Sequence, residues 1–197
     1  MLTQLLKNKN VETVYCLVRG KNEENSKERL IETIKKYKKW EEVKQQVEDG
    51  ERVQVINGDL SMKKLGIEIS AYKKISEKVS AVYHCGAIVN HLLSYQYHRE
   101  TNVLGTKRII SFCFSGIPKK LNYISSISVF HPKKNFDESF SCLDYPLSHI
   151  SPHGGYVSSK IVCERIITSL PSLHFSIFRG IIHFLFDTFF FLTLYFF

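Results

Sequence analysis

Tyr156 and Lys160 stand four residues apart in GYVSSKIVCE, a spacing that on a helix puts both side chains on one face, one turn apart. A neighbouring ammonium favours phenolate over phenol, so the pair reads as a tyrosine drawn down from its ordinary pKa of about 10 toward the working range. Such a phenol can give its proton to a carbonyl oxygen while the carbonyl carbon receives hydride. The spacing alone is weakly specific, and its weight depends on what stands around it. Ser125 and Ser126 follow the apolar run LNYI and would present a hydroxyl at the C-terminal end of a strand, where open parallel sheets hold their ligands. The plainer reading of a Ser-Ser pair after a strand is an ordinary turn. Gly86 and Ala87, also just past an apolar run, allow close approach to the backbone, with a tight turn as the alternative. Arg19 and Gly20 close the run TVYCLV. An acidic side chain there would accept from a ribose 2′-hydroxyl, whereas an arginine suits a 2′-phosphate. Asp59 closes the next strand, facing an adenine or capping a turn.

These residues need strands to carry them and helices to cover the strands. Short β-branched runs predict strands over 13–18, 53–57, 79–84, 121–125 and 174–178. Longer amphipathic stretches predict helices over 26–47, 101–115 and 156–170, with a short helical piece over 2–7. Near-continuous apolar strands alternating with helices argue for a parallel sheet covered on both faces. The right-handed crossover rule makes this α/β arrangement a doubly wound, Rossmann-like layer.

A chain of 197 residues supports one domain with a sizeable core and hardly two. An apolar share of 44% excludes a disordered chain. The formal charge of +8 arises largely where lysines and glutamates alternate, as in KKYKKWEEVKQQVEDGE, which is the pattern of a solvated helix face. No nucleic-acid-binding signature accompanies it, so no nucleic-acid partner is expected. Tyr37 and Trp40 in that stretch read as residues packing one side of the helix. The five cysteines, Cys16, Cys85, Cys113, Cys142 and Cys163, form no CxxC pair; with no secretory signal at the N-terminus they read as buried free thiols in a reducing, cytoplasmic setting. His84, His91 and His98 recur every seven residues. The first falls in a strand, so they cannot share a helix face, and no metal site is expected.

The ends fit such a domain poorly. A dinucleotide fold begins one strand earlier, with a glycine-rich turn against the pyrophosphate, yet the ten glycines include no GxGxxG or GxxGxxG spacing. The fold is therefore expected to be incomplete, open beside the strand over 13–18 as an aggregation-prone edge. Residues 181–197 (IIHFLFDTFFFLTLYFF) are abruptly rich in phenylalanine but hold His183 and Asp187, short and flawed for a membrane span. They read as a truncated or misread end, with a membrane- or partner-binding segment as the alternative. Residues 1–180 form the partial nucleotide-binding domain.

In order, VYCLVRG, RL at Arg29 and Leu30, GDLS over 58–61, YHCGAIVNHLLSY over 83–95, NVLGT over 102–106, YISSISV over 123–129 and GYVSSKIVCE over 155–164 resemble one family along residues 2–180. It is the thioester reductase branch of the extended short-chain dehydrogenases: carboxylic acid reductases, aminoadipate reductases, terminal reductase modules of nonribosomal peptide synthetases, and fatty acyl-CoA reductases. The resemblance implies an oxidoreductase that passes hydride from NADPH to an acyl thioester held on a carrier-protein phosphopantetheine or on CoA. The thiohemiacetal then collapses to an aldehyde, which some members reduce again to an alcohol. It implies that Tyr156 donates the proton, Lys160 lowers the tyrosine pKa and holds the nicotinamide ribose, and Ser126 hydrogen-bonds the reacting oxygen. Arg19, and with it Arg29, would hold the 2′-phosphate; Asp59 and Leu60 would flank adenine; Cys85, Gly86 and Ala87 would line the cofactor. Asn102 belongs to the same cofactor-side set, as a structural hydrogen-bonding residue. The chain departs from the family in lacking the opening TGxxGxxG loop and in having Arg179 and Gly180 without the proline between them. By itself it is expected to be a poor enzyme. The alternatives are a sugar-nucleotide epimerase or dehydratase of the same superfamily and a non-catalytic remnant. A membrane role would rest on the tail alone.

Overall fold

The computed structural model describes residues 1–130 and 154–180 together with the backbone strand Leu192–Tyr195. Its strands are β1 Val14–Val18, β2 Val53–Asn57, β3 Ala81–His84, β4 Lys120–Ser126, β5 Phe175–Gly180 and β6 Leu192–Tyr195. Its helices are α1 Leu2–Lys7, α2 Glu23–Lys36, α3 Trp40–Glu48, α4 Ile69–Ser76, α5 Tyr95–His98, α6 Gly105–Cys113 and α7 Gly154–Thr168. The sheet order is β2-β1-β6-β3-β4-β5. The pairs β1–β2, β3–β4 and β4–β5 are parallel, which defines a Rossmann-like, doubly wound α/β layer.

Both faces of the sheet are covered, and β1 shows why its sequence has no polar alternation. Val14, Cys16 and Val18 join Leu30, Ile34, Val43 and Val47 of α2 and α3 in one core. Tyr15 and Leu17 join Val82, Ile109, Phe112, Leu121, Tyr123 and Ile167 in the other. A strand buried on both sides reads as a continuous apolar run.

Three elements differ from the sequence expectations. The helix expected over 26–47 is two helices, because Lys38 takes a left-handed backbone at φ 54, which interrupts the helical ladder. The helix expected over 101–115 begins earlier: α5 runs through a π-helical turn, Arg99–Leu104, into α6 without leaving helical backbone. The third concerns the edge expected beside β1. β6 pairs antiparallel with β1 on one side and with β3 on the other, with Val14 opposite Tyr195 and Ala81 also opposite Tyr195, so that edge is not open. The switch in winding direction falls at this slot. β1 and β2 lie to one side of it, β3 to β5 to the other, and the C-terminal ends of β1 and β3 flank the crevice between them.

Candidate active site

β4 and α7 carry the side chains that the sequence singles out for chemistry. Tyr156 and Lys160 lie on the first two turns of α7, Ser125 and Ser126 at the end of β4. α7 can approach the segment before α5 because residue 155 is glycine. A Cβ there would stand 2.2 Å from the Ser94 carbonyl carbon and 2.4 Å from the Leu93 oxygen, distances that only a missing side chain permits.

Lys160 is 3% exposed; its ammonium donates to the Ile124 carbonyl at 2.7 Å and lies 4.7 Å above the Tyr123 ring. Burial lowers its pKa, against the opposing pull of Cys163, Cys85 and Glu164. Tyr156 is 1% exposed, packed with Ala87, Val129, Val157 and Ile161, and its hydroxyl has no partner among the described residues. Burial, with Cys163 beside it, raises the phenol pKa. This reverses the expectation that Lys160 draws it down. The ammonium is turned to the Ile124 carbonyl, 5.9 Å from the Tyr156 ring centre, and desolvation of the phenolate outweighs it. The phenol is therefore held protonated. Ser126 accepts from the Ser128 amide at 3.1 Å, while the buried Ser125 hydroxyl has no partner among the described residues.

Asn102, on the π-helical turn, ties this cluster to the segment after β3. Its side-chain oxygen accepts from the Ile88 amide at 2.7 Å, and its Nδ2 donates to the Ile88 carbonyl at 3.0 Å and to Ser159 Oγ at 2.9 Å. Its own carbonyl accepts from Thr106 Oγ1 at 2.6 Å and from the Cys163 thiol at 3.2 Å. Asn102 thus positions the segment holding Cys85, Gly86 and Ala87 against α7. The Cys85 thiol is pushed up to about 11, chiefly by burial. The four described cysteines are free thiols, three of them buried; Cys142 lies outside the described residues.

At the end of β1, Arg19 is half-exposed and lies 3.9 Å from Asp59. Arg29 on α2 donates from Nη1 to the Arg19 carbonyl, which brings Arg19, Arg29 and Asp59 together. Asp59 also caps its own turn, accepting from the Ser61 amide and hydroxyl at 2.7 Å each. Leu60 is buried in the main core, and its carbonyl accepts from Arg108. Two residues outside the motif reading shape this corner. Asn57 Oδ1 accepts from the Gly20 amide at 3.1 Å and from Ser26 Oγ at 3.0 Å, fixing the turn between β1 and α2. Their signal is a polar residue at a strand end and a serine in a helix's first turn, patterns common to many structural turns.

One turn past Lys160 on the same face of α7, Glu164 is fully buried and takes a two-pronged contact from Arg179 of β5, with Nη2 at 2.7 Å and Nε at 3.1 Å. Among the described residues no three His, Cys, Asp or Glu side chains gather as a metal site, and no helix is long and apolar enough to cross a membrane.

The fold and this cluster define a nucleotide-binding α/β domain of the short-chain reductase type. The chain matches the model of the NAD-binding family described as "Male sterility protein" over residues 1–184, and it belongs to that family. It is 32% identical over 182 residues to the aldehyde reductase lnbA of Aspergillus flavus, covering 90% of this chain and 18% of the relative. It is 31% identical over 187 residues to the non-canonical nonribosomal peptide synthetase cpsA of Aspergillus campestris, covering 91% of this chain and 17% of that protein. Among solved structures it resembles the terminal R domain from the myxalamid PKS-NRPS biosynthetic pathway, with 31% identity and a TM-score of 0.75 over 90% of this chain and 44% of that one. The chain therefore spans less than a fifth of these two curated relatives.

Proposed function

We propose that this chain is the nicotinamide-binding section of an NADPH-dependent reductase, and that its substrate is an acyl thioester carried on a protein-bound phosphopantetheine or on CoA. The observation that carries the reading is Tyr156: a buried phenol held protonated, its hydroxyl without a partner among the described residues, beside Lys160 at the C-terminal end of β4. A buried donor with nothing to donate to costs about 1–3 kcal/mol, a cost that an arriving acceptor removes.

The residues present fit a nicotinamide dinucleotide at two points: the Tyr156 hydroxyl at the reacting end, and the Arg19, Arg29 and Asp59 corner at the adenosine end. Bound NADPH supplies hydride to the thioester carbonyl carbon. Tyr156 gives its proton to the carbonyl oxygen, so the C=O becomes C–O–H and charge never accumulates in the buried site. Loss of the thiol, with transfer of the hydroxyl proton to sulfur, then leaves the aldehyde. Lys160 holds the ribose side and keeps a positive charge near the phenolate. Ser126 orients the oxygen. Arg19 offers an exposed cation to a 2′-phosphate, which favours the reductase over the sugar-nucleotide epimerase reading. The lnbA relative, an aldehyde reductase by name, supports carbonyl reduction.

The test is aldehyde formation with NADPH and an acyl thioester, on a phosphopantetheine carrier protein and on CoA in parallel. Tyr156→Phe is expected to lower kcat by about 10²–10⁴-fold with the fold intact. An unchanged rate in that variant would contradict the assignment.

A further inference from the structure

Arg179 stands on β5 opposite Ser125 of β4, and its guanidinium has two neighbours of different chemistry. Glu164 of α7 takes the polar edge: Nη2 donates to Oε2 at 2.7 Å, and Nε donates to both carboxylate oxygens at 3.1 Å. The guanidinium carbon also lies over the Phe130 ring, 5.1 Å from its centre, within the range of a cation–π contact. A planar cation gripped by a fully buried carboxylate keeps one orientation. It therefore offers the ring a fixed seat.

Phe130 closes the turn that leaves β4 at the site. Ser126 Oγ accepts from the Ser128 amide at 3.1 Å, Ile127–Val129 form a single 3₁₀ turn, and the Phe130 amide donates to the Ile127 carbonyl at 3.0 Å. Val129, in the middle of this turn, is buried against Tyr156 together with Ala87, Val157 and Ile161. The near end of the turn thus carries Ser126, its middle packs on Tyr156, and its far end rests on Arg179. A three-residue 3₁₀ turn is weakly held by its own hydrogen bonds, so its outer contacts decide how firmly it sits. Through Arg179 those contacts return to Glu164, on the same helix that carries Tyr156 and Lys160. The ring of contacts from β4 through the turn, Phe130, Arg179 and Glu164 back to Tyr156 is closed.

We propose that Arg179 is a positioning residue for Ser126 and Tyr156: fixed by Glu164, its guanidinium seats the Phe130 ring and so fastens the turn from Ser126 to Phe130 onto α7. This deepens the reading of Ser126 and Tyr156 as the groups that meet the carbonyl oxygen and rests on it for its catalytic consequence. The fastening of the turn itself is measurable without cofactor or substrate.

The experiment is performed on the full chain in two arms. Arg179→Met alone would strand the Glu164 carboxylate, so the variants are Phe130→Leu, Phe130→Tyr, the neutral pair Arg179→Met with Glu164→Met, and that pair combined with Phe130→Leu. In the first arm, amide hydrogen exchange is followed by NMR at Ser128, inside the turn, and at Tyr123, inside β4. Phe130→Leu is expected to speed exchange at Ser128 about tenfold and to leave Tyr123 unchanged, while Phe130→Tyr, which keeps the ring, retains the protection. The neutral pair should speed Ser128 as Phe130→Leu does, and adding Phe130→Leu to it should bring no further change, because both remove the same contact. Protection at Ser128 indifferent to Phe130→Leu, or losses that multiply in the combined variant, overturns the proposal. In the second arm, thioester reduction is expected to show kcat down about tenfold in Phe130→Leu and recovered in Phe130→Tyr, with KM for NADPH little changed. An active wild type whose kcat survives Phe130→Leu, or is not recovered in Phe130→Tyr, overturns it as well. If the wild type reduces no thioester yet Ser128 responds as expected, the fastening stands and the thioester reading falls.

Discussion

At Tyr156 the governing force is burial. The sequence pair YxxxK was legible, and the structure brings both residues to the end of β4, but the direction of Lys160 was not. Which carbonyl an ammonium finds depends on the depth of α7 against the sheet, which no spacing encodes. The same holds for His98 and Ser125, whose significance is that their polar atoms are buried without partners among the described residues, a property of packing. His84 yields a prediction of its own. Thr106 Oγ1 donates its proton to the Asn102 carbonyl at 2.6 Å, so at 2.9 Å it must accept from His84 Nε2. Burial, with Lys160 nearby, pulls the His84 ring down to about 3. The unfolded ring binds a proton below about 6.5 and the folded one does not. The stability this supplies is complete above that pH and is lost as the pH falls toward 3. Between pH 7 and 5 the wild type should lose about 2 kcal/mol more than His84→Gln in urea unfolding. Equal losses would mean that His84 can be protonated in the folded state.

At the scale of elements, five strands were readable from their short apolar, β-branched runs, which are buried throughout in β1 and nearly so in β3 and β4. The break between α2 and α3 was hidden, because Lys38 is an ordinary helix former by type and only its left-handed backbone stops the helix. α4 was missed: it is short and capped by Glu68, whose carboxylate accepts from Ser70 and Ala71, where Ser, Thr, Asp or Asn would have marked the start. The clamp between α7 and β5 was also invisible to pattern reading, since Glu164 and Arg179 meet across the fold. Glu164 has a fully buried side chain and Arg179 is 18% exposed. Arg179→Met strands a buried carboxylate and should cost about 3–5 kcal/mol, read by chemical denaturation. Adding Glu164→Met should restore most of that loss, because the pair's attraction largely offsets its own desolvation. A double variant as unstable as the single one would show that the helix depends on the charges themselves.

At the scale of the whole molecule, β6 holds the sheet together in the slot between β1 and β3. Its four residues, LTLY inside a phenylalanine-rich stretch, are too few to set a register by pattern, and the expected open edge is filled instead by a strand running against its neighbours. Without β6, β1 and β2 have no hydrogen-bonded strand link to β3, β4 and β5 among the described residues. A chain ending at Gly180 should therefore lose its single cooperative transition and self-associate through the two exposed edges. Size-exclusion chromatography and the urea-unfolding slope would report this; a monomer with an unchanged slope would show that the two half-sheets pair without the strand.

The central claim, a site built to take NADPH, is tested most directly by fluorescence titration of the full chain with NADPH and NADH, alongside Arg19→Ala. Saturable binding that favours NADPH is predicted, with Arg19→Ala weakening NADPH about tenfold or more and leaving NADH nearly unchanged. Equal affinity for the two nucleotides, or no binding by a chain shown to be folded, would contradict it.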